Sequence, residues 1–227
     1  MQLAYVAKRP EALEEVRPVF ASHGHVEGVD PELVVVIGGD GTLLRAEREH
    51  PGVLKALLRD SEVGHLYTCT SPVELARALA QGAYAVEERD ALEASVHGVV
   101  LRGVNDVIVR NTLLTHAIRF TVTVDGEARD GTLIGDGVVV ATPLGSSAYY
   151  QSITRMTFAA GIGLAYNNLV LQPCEHEVLP ASSELIVHIR RGPAALGVDN
   201  SLHTESLQAG DVVRICKSAT PLRVVRL

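Results

Sequence analysis

The pattern of apolar and polar positions divides the chain into two parts. In residues 1 to about 85, short apolar runs alternate with segments whose apolar residues recur at helical spacing. The runs LAYVA at 3–7 and LVVVI at 33–37 predict strands, PEALEEVRPVFASHG at 10–24 predicts a helix, and another helix is expected from about Leu43. Alternating strands and helices are typical of an α/β domain.

A further helix is predicted by its capping residues. Ser71 can serve as the N-cap, Pro72 occupies the first helical position, and Glu74 follows three residues after the cap. The apolar-rich segment LARALAQ then leads to Gly82, a residue typical of helix C-termini. We expect this helix to close the α/β part of the chain.

From about Ala91 the apolar period changes from helical spacing to two. Ile118–Val124 (IRFTVTV) alternates apolar and polar residues, and Asp125-Gly126 predicts the turn that follows it. Further strands are predicted at 138–141, 184–189 and 211–215, the last after a turn at Gly210. The change of period places a domain boundary near residue 90, with domains at 1–90 and 91–227. In an alternative arrangement, the last strand of the chain belongs to the first domain.

Composition and charge indicate which broad class of protein this chain belongs to. The 227 residues are 47% hydrophobic and carry a formal net charge of -7, which supports a large core and argues against a surface that coats nucleic acid. Cys69, Cys174 and Cys216 are widely spaced, as expected for reduced thiols in a cytoplasmic protein. No segment approaches the roughly 20 apolar residues of a membrane span. Glu175-His176-Glu177 reads as part of a loop, and we expect no metal site there.

The glycine-rich turn GGDGT directly follows the apolar strand LVVVI. Gly38, Gly39 and Gly41 leave room for phosphates to approach the backbone, and ligands of parallel sheets gather at the carboxyl ends of strands. The turn matches neither the Walker A loop nor G-x-G-x-x-G. The carboxylate of Asp40 would repel phosphates unless it holds magnesium or accepts a proton. The alternative is a tight turn in which Asp40 caps the next helix.

Three motifs together resemble the NAD kinase family, within the group of kinases that share GGDGT. GGDGT is followed by Asn105-Asp106 in GVNDVIVRN and by GDGVVVATPLGSSAY at 135–149. Val198-Asp199 and Gly210-Asp211 resemble the C-terminal strands of that family. The resemblance covers nearly the whole chain.

This resemblance implies transfer of the terminal phosphoryl group of ATP, or of polyphosphate in some members, to the 2′-hydroxyl of the adenosine ribose of NAD. Asp40 would be the base, and Gly38, Gly39, Gly41 and Thr42 would shape the phosphate-binding turn. Arg45 would reach the pyrophosphate of the substrate; the alternative is a solvated residue on the helix surface. Magnesium, or another divalent cation, would arrive with ATP.

The NAD-binding residues are also carried over from the family. Asn105 would bind the adenine edge and Asp106 the ribose hydroxyls, although Asn-Asp is also typical of a turn at a strand end. Asp136 would contact the nicotinamide end, with a hairpin turn as the alternative. The remaining expected contacts with NAD are Leu144, Ser147, Ala148, Tyr149, Ser152 and Asp199. The alternative for this segment is a buried turn with Tyr149 in the core.

The family fold implies an N-terminal Rossmann-like α/β domain, a C-terminal all-β domain resembling a β-sandwich, and a substrate cleft between them. It also implies a homodimer or homotetramer that forms through the C-terminal domain and in which a neighbouring copy completes the NAD site. Two departures stand out: Ile134 replaces the usual arginine two residues before Asp136, and Ile153–Met156 replaces a glycine pair. Arg155 is a candidate substitute for the missing arginine.

Two other functions remain open at this point. A lipid kinase of the GGDGT group would be expected to show a basic or apolar membrane-facing surface and to lack GSSAY. A binding protein that senses NAD(H) or NADP without efficient catalysis would gain nothing from the carboxylate of Asp40 beside phosphates.

Overall fold

The computed structural model of the protein describes residues 1–59, 67–69, 71–170 and 176–227, and for Asp130 the backbone alone. The chain forms two compact units. The first comprises Met1–Arg89 and Thr220–Leu227, and the second comprises Asp90–Ala219. Cys174 and Glu175 lie outside the described residues. Within the described ranges, no helix has the length and apolar character needed to cross a membrane.

The strands and helices that the apolar pattern predicts are present in the expected order, and the structure adds further strands between them. The elements up to residue 89 are β1 Gln2–Ala7, α1 Glu11–Ser22, β2 Val26–Glu27, β3 Leu33–Ile37, α2 Asp40–Glu49, β4 Leu54–Leu58, α3 Pro72–Gln81 and β5 Ala85–Arg89. The following elements are β6 Leu92–Val96, β7 Val99–Gly103, β8 Asp106–Asn111, β9 Ile118–Val124, β10 Glu127–Gly135, β11 Gly137–Ala141, α4 Tyr149–Thr154, β12 Ile162–Asn167, β13 His176–Leu179, β14 Leu185–Arg191, β15 Ala194–Val198, β16 Glu205–Leu207, β17 Val212–Lys217 and β18 Leu222–Arg226.

The first unit is built on a six-stranded sheet in the order β2-β1-β3-β4-β18-β5. All neighbouring pairs are parallel except β18 with β5. Every residue of β3 is buried, as expected for a strand covered on both faces of a parallel sheet. The predicted α/β class is therefore confirmed.

The helices of this unit begin and end where local chemistry favours it. Ser71 Oγ accepts a hydrogen bond from the backbone N–H of Glu74 at 3.3 Å, and Gly82 ends α3 with a φ of 64°. The helix expected from about Leu43 begins three residues earlier, at Asp40. It does so because the carbonyl of Gly39 accepts the N–H groups of Thr42 and Leu43, at 2.9 and 3.2 Å.

The second unit consists of two six-stranded antiparallel sheets. Their orders are β10-β9-β14-β17-β6-β7 and β13-β12-β11-β8-β15-β16. One apolar core contains residues from both sheets, including Phe120 and Val187 of the first and Val109 and Leu164 of the second. In β9 the apolar residues of IRFTVTV are buried and the polar ones face away from this core, as the period of two predicts. The expected sandwich-like β domain is confirmed.

A buried ion pair fixes the connection between α2 and β4. Lys55 is fully buried in β4 and pairs with Glu47 of α2, whose side chain is 3% exposed. Lys55 Nζ also donates to the carbonyls of His50 and Val53, at 2.5 and 2.7 Å, and Glu47 Oε1 accepts the N–H of Gly52 at 2.8 Å. The two charges therefore satisfy the polar backbone of the connecting turn.

Removing one member of this pair should cost more than removing both charges. We expect Lys55→Met to lower the free energy of unfolding by about 3–5 kcal/mol, because it leaves the Glu47 carboxylate buried without its counter-charge. Adding Glu47→Gln, which can still accept from Gly52, should restore part of the loss in urea unfolding. A double variant no more stable than Lys55→Met would contradict this account.

Candidate functional site

The glycine-rich turn lies at the carboxyl end of β3. The N–H of Gly38 donates to the carbonyl of Leu58, the last residue of β4, at 3.1 Å, and the N–H of Lys8 donates to Ile37 at 2.8 Å. Gly38 has a φ of 154°, and a Cβ there would lie 2.4 Å from Thr42 Oγ1. Glycine is required here because the backbone passes so close to the first turn of α2. The turn thus occupies the sheet edge at which parallel α/β folds bind ligands.

Asp40 is the first residue of α2 and is partly exposed. Gly39, which has no side chain, occupies the N-cap position of this helix. Asp40 therefore does not occupy the N-cap position itself. A carboxylate in the first turn is stabilised by the helix dipole.

Arg45 lies one turn further along α2. Its Nη2 donates to the carbonyl of Ala7 at 2.6 Å, and its Nε is 3.8 Å from Glu49 Oε1. Ala7 is the last residue of β1, so the guanidinium lies at the same sheet edge as the glycine-rich turn. The structure holds Arg45 against the backbone rather than extended into solvent.

In the second unit, Asp199 holds the segment that contains Asn105 and Asp106. Its Oδ2 accepts the N–H of Val104 at 3.0 Å, and its Oδ1 accepts the N–H groups of Asn105 and Asp106 at 2.7 and 3.1 Å. The N–H of Asp199 donates in return to the carbonyl of Asp106 at 2.9 Å. Asp199 adopts a φ of 49° to do so. The segment is thereby fixed by a carboxylate from a distant part of the chain.

The side chains of Asn105 and Asp106 differ in their surroundings. Asp106 is 4% exposed, and burial together with the nearby Asp199 carboxylate raises its pKa to about 7. Burial also raises the pKa of Asp199, while its three bonds from backbone N–H groups oppose that rise. The Asn105 side chain is partly exposed and makes no hydrogen bond among the residues that the structure describes. Its amide is available to a ligand.

The segment after β11 packs directly on this loop. Thr142 Oγ1 donates to the carbonyl of Val104 at 2.6 Å and accepts the N–H of Gly145 at 3.1 Å. The N–H of Thr142 donates to the carbonyl of Asn105 at 2.9 Å, and a Cβ on Gly145 would lie 2.0 Å from that same oxygen. The structure therefore joins two of the sequence motifs into one site. Thr142 was missed as a site residue because its role depends on a contact between distant segments.

Leu144 starts the 3₁₀ turn Gly145–Ser147, and Ser147 and Ala148 are exposed. The Tyr149 ring is partly exposed, and its hydroxyl accepts a hydrogen bond from Asn167 Nδ2 at 2.9 Å. Tyr150, 1% exposed, fills the core position, so the alternative with Tyr149 in the core is wrong. Ser152 lies on the exposed side of α4, where its Oγ donates to the carbonyl of Tyr149 at 2.7 Å.

Asp136 lies at the other end of the same strands. Asp106 pairs with Ala141, whereas Arg110 pairs with Gly137, next to Asp136. The Asp136 carboxylate accepts from Asn111 Nδ2 and Asn168 Nδ2, each at 3.3 Å. The structure does not bring Asp136 together with Asn105 in one copy of the chain.

The structure also shows where the residues that depart from the family pattern lie. Ile134 pairs with Arg119 across the β10–β9 ladder, and Arg155 is exposed at the end of α4. His176 and Glu177 lie in β13 rather than in a loop. His176 Nε2 is 3.1 Å from Met156 Sδ, and Glu177 pairs with Arg129. Over the described ranges, no three His, Cys, Asp or Glu residues cluster as metal ligands do.

Several known proteins are similar to this chain in sequence or in fold. Residues 104–227 match the family model of the ATP-NAD kinase C-terminal domain. The NAD kinase of Moorella thermoacetica is 32% identical over 222 residues, covering 88% of this chain and 68% of the relative. The NAD kinase of Symbiobacterium thermophilum is 32% identical over 228 residues, covering 93% and 79%.

Two solved structures have the same fold at low sequence identity. Yeast NADH kinase, crystallised with NADH, superposes with a TM-score of 0.88 at 18% identity, covering 100% of this chain and 83% of that one. An NAD kinase from Archaeoglobus fulgidus in complex with ATP has a TM-score of 0.81 at 21% identity, covering 99% and 93%. These likenesses extend to both units of the chain.

The buried Asp106 carboxyl predicts how stability depends on pH. Because its folded pKa of about 7 exceeds the ordinary 3.8, the folded protein binds more protons between these values. The free energy of unfolding should therefore fall as pH rises from about 4 through about 7, by up to about 4 kcal/mol from this group. Asp106→Asn should gain stability relative to the wild type between pH 5 and pH 8 in urea unfolding. A constant difference across that range would contradict the raised pKa.

Proposed function

The chain belongs to the NAD kinase family, and from this premise we propose that Asp40 is the base of its phosphoryl transfer. The protein is an NAD kinase, which converts NAD to NADP by phosphorylating the 2′-hydroxyl of the adenosine ribose with ATP. The match of residues 104–227 to the family model, more than half of the chain, carries this conclusion. Neither a lipid kinase nor a sensor that only binds NAD(P) is favoured by these relatives.

The reaction needs a proton acceptor and a cradle for the transferred group. The 2′-oxygen attacks the γ-phosphorus of ATP, the bond from that phosphorus to the β,γ-bridging oxygen breaks, and ADP leaves. The hydroxyl proton passes to the Asp40 carboxylate. Asp40 suits this role because it is partly exposed at the carboxyl edge of the sheet. Gly38, Gly39, Gly41 and Thr42 would supply the backbone that approaches the phosphates.

The kinase reaction implies a divalent cation. Asp40 offers carboxylate oxygens beside the glycine-rich turn, and the described residues hold no cluster of three metal ligands. This arrangement fits magnesium, which commonly binds one or two carboxylates together with substrate phosphates and water. When bound, the cation neutralises phosphate charge.

We assign NAD binding to the loop and the segment that packs on it. The free amide of Asn105 can both donate to and accept from an adenine edge, and Asp106, once ionised, can accept from ribose hydroxyls. Leu144, Ser147, Ala148, Tyr149 and Ser152 would line the nucleoside, with the partly exposed Tyr149 ring as a stacking surface. Arg45 would contact the pyrophosphate by moving its guanidinium away from Ala7.

Asp199 has a different role from the direct contact with NAD expected by resemblance. Its carboxylate is occupied by the N–H groups of Val104, Asn105 and Asp106. We therefore propose that Asp199 is a positioning residue that aims the side chains of Asn105 and Asp106.

We further propose a cytoplasmic homodimer or homotetramer formed through the C-terminal unit. Asp136 lies at the strand ends opposite Asp106, which supports a role for it in the site of a neighbouring copy. The described cysteines, Cys69 and Cys216, are free thiols, as a reducing compartment favours.

The proposed base predicts a selective loss of turnover. We expect Asp40→Asn to lower kcat for NADP formation by about 10²–10⁴-fold, the usual contribution of a general base, with little change in KM for NAD or in thermal unfolding. NADP is measured with NAD, ATP and magnesium. If the variant is as active as the wild type, Asp40 is not the base. A wild-type protein that binds NAD but forms no NADP would be a sensor.

The positioning role of Asp199 predicts a different kinetic signature. Asp199→Asn should raise KM for NAD about tenfold, because Asn keeps only one acceptor oxygen and the loss of one bond to a charged acceptor costs roughly 1.5–3 kcal/mol. We expect kcat and KM for ATP to change much less. Asp125→Asn is the matched control, since Asp125 also has a positive φ, of 50°, and its Oδ1 accepts a backbone N–H, from Glu184 at 2.8 Å.

Asp125→Asn should lower stability without changing KM for NAD. If both variants change KM equally, or if Asp199→Asn changes stability alone, Asp199 is structural and has no positioning role.

A further inference from the structure

Three arginines surround one position of the β9–β14 ladder. Arg119 is exposed between Ile118 and Phe120, which are 1% and 0% exposed, so it projects from the outer face of the sheet. Arg191 is its direct cross-strand partner, and the register shifts between Ile189 and Arg191. Arg190 is thus the extra residue of a β-bulge, and both β14 arginines oppose Arg119. We call Arg119, Arg190 and Arg191 the arginine cluster.

The arginine cluster has no counter-charge within the part of the chain that the structure describes. None of its members forms an ion pair or a side-chain hydrogen bond there, whereas Arg214 of the same sheet pairs with Glu184. Acidic residues are not scarce, since the chain has 27 Asp and Glu against 20 Lys and Arg. Like charges directly opposite one another destabilise a sheet. The cluster therefore carries an unfavourable electrostatic energy that a bound anion would relieve.

The neighbouring positions add further hydrogen-bonding groups. Thr121 and His188 are cross-strand partners, two positions from Arg119 along β9 and on the same face. Neither side chain has a hydrogen-bond partner among the described residues. Asp211 lies beside the end of β14, where its carbonyl accepts the N–H of Ile189 at 2.9 Å, but its carboxylate is already bound to His97 and to the N–H of Gln208. Its carboxylate leaves the charge of the cluster uncompensated.

We propose that the arginine cluster is a binding site for a chain of phosphate groups. A guanidinium presents a planar fork of donors that matches phosphate oxygens, and its charge is retained at all relevant pH values. The guanidiniums belong to one ladder position, which suits an anion with several charges within a few ångströms. In an extended acidic peptide, successive carboxylates on the same face are about 7 Å apart. Such a peptide therefore matches the closely spaced guanidiniums less well. Inorganic polyphosphate and the triphosphate of a nucleotide share the required chemistry.

The test is a calorimetric titration of the full chain with inorganic tripolyphosphate. The glycine-rich turn is also expected to bind phosphates, so the number of sites is the readout. The wild type should show one more site than Arg119→Gln/Arg191→Gln, or that site should weaken at least tenfold in the variant. The matched control is Arg77→Gln/Arg223→Gln, which removes the same charge from exposed arginines that have no described partner. It should retain the additional site.

The melting temperature of Arg119→Gln/Arg191→Gln should equal or exceed that of the wild type without ligand, because repulsion is removed. If ATP competes with tripolyphosphate for the additional site, the site binds nucleotide phosphates. If ATP does not compete, the site binds inorganic phosphate chains. Either result upholds the proposal. Equal binding by the cluster variant, or equal loss in the control, overturns it. A poly-glutamate peptide that binds the site as tightly as tripolyphosphate also overturns it, in favour of an acidic protein partner. NADP formation is measured separately, so this outcome does not depend on the proposed kinase site.

Discussion

The candidate NAD site depends on the hydrogen bonds of one partly buried carboxylate, that of Asp199. Asp199 lies after β15, yet its oxygens accept three consecutive backbone N–H groups at the start of β8, those of residues 104–106. A buried carboxylate without such partners would be costly, so the two segments have to stay together. Because their backbone is fixed in this way, the side chains of Asn105 and Asp106 are left for a ligand. Thr142 and Gly145 then pack on the same segment.

Close backbone contact is the second constraint on the site. A Cβ on Gly145 would collide with the carbonyl of Asn105, and one on Gly137 would lie 1.9 Å from the carbonyl of Val109. At Gly38 the obstacle is the Thr42 side chain. Gly137 and Gly145 therefore let the segment at 135–149 approach the backbone of residues 105–110, and Gly38 lets the glycine-rich turn pack on the first turn of α2. This explains how two motifs that are far apart in sequence pack together in the second unit.

The fold class could be predicted from the sequence, because the burial of a strand determines its pattern of apolar residues. A strand buried on both faces, such as β3, is a continuous apolar run, and a strand buried on one face, such as β9, alternates apolar and polar residues. It was less informative where contacts between distant segments decide the outcome. Tyr149 and Tyr150 are adjacent in sequence, and only the packing of α4 determines which ring is buried. The glycines at 38, 39 and 41 suggested a loop, yet Gly41 lies inside α2. Pro173 suggested a loop around His176, but pairing with β12 makes it a strand. The site residues themselves remain predictions from motif and geometry.

The position of β18 has a consequence for how the protein is made. Residues 222–226 lie between β4 and β5 in the sheet of the first unit, and Thr68 Oγ1 donates to the carbonyl of Val225 at 2.9 Å. During synthesis, β4 and β5 emerge from the ribosome long before the strand that separates them. The first sheet therefore keeps an open gap, with unpaired backbone on both sides, until the whole second unit has been translated. During this interval the unpaired strand edges of the nascent chain are open to mispairing, which is the kind of exposed surface on which chaperones act.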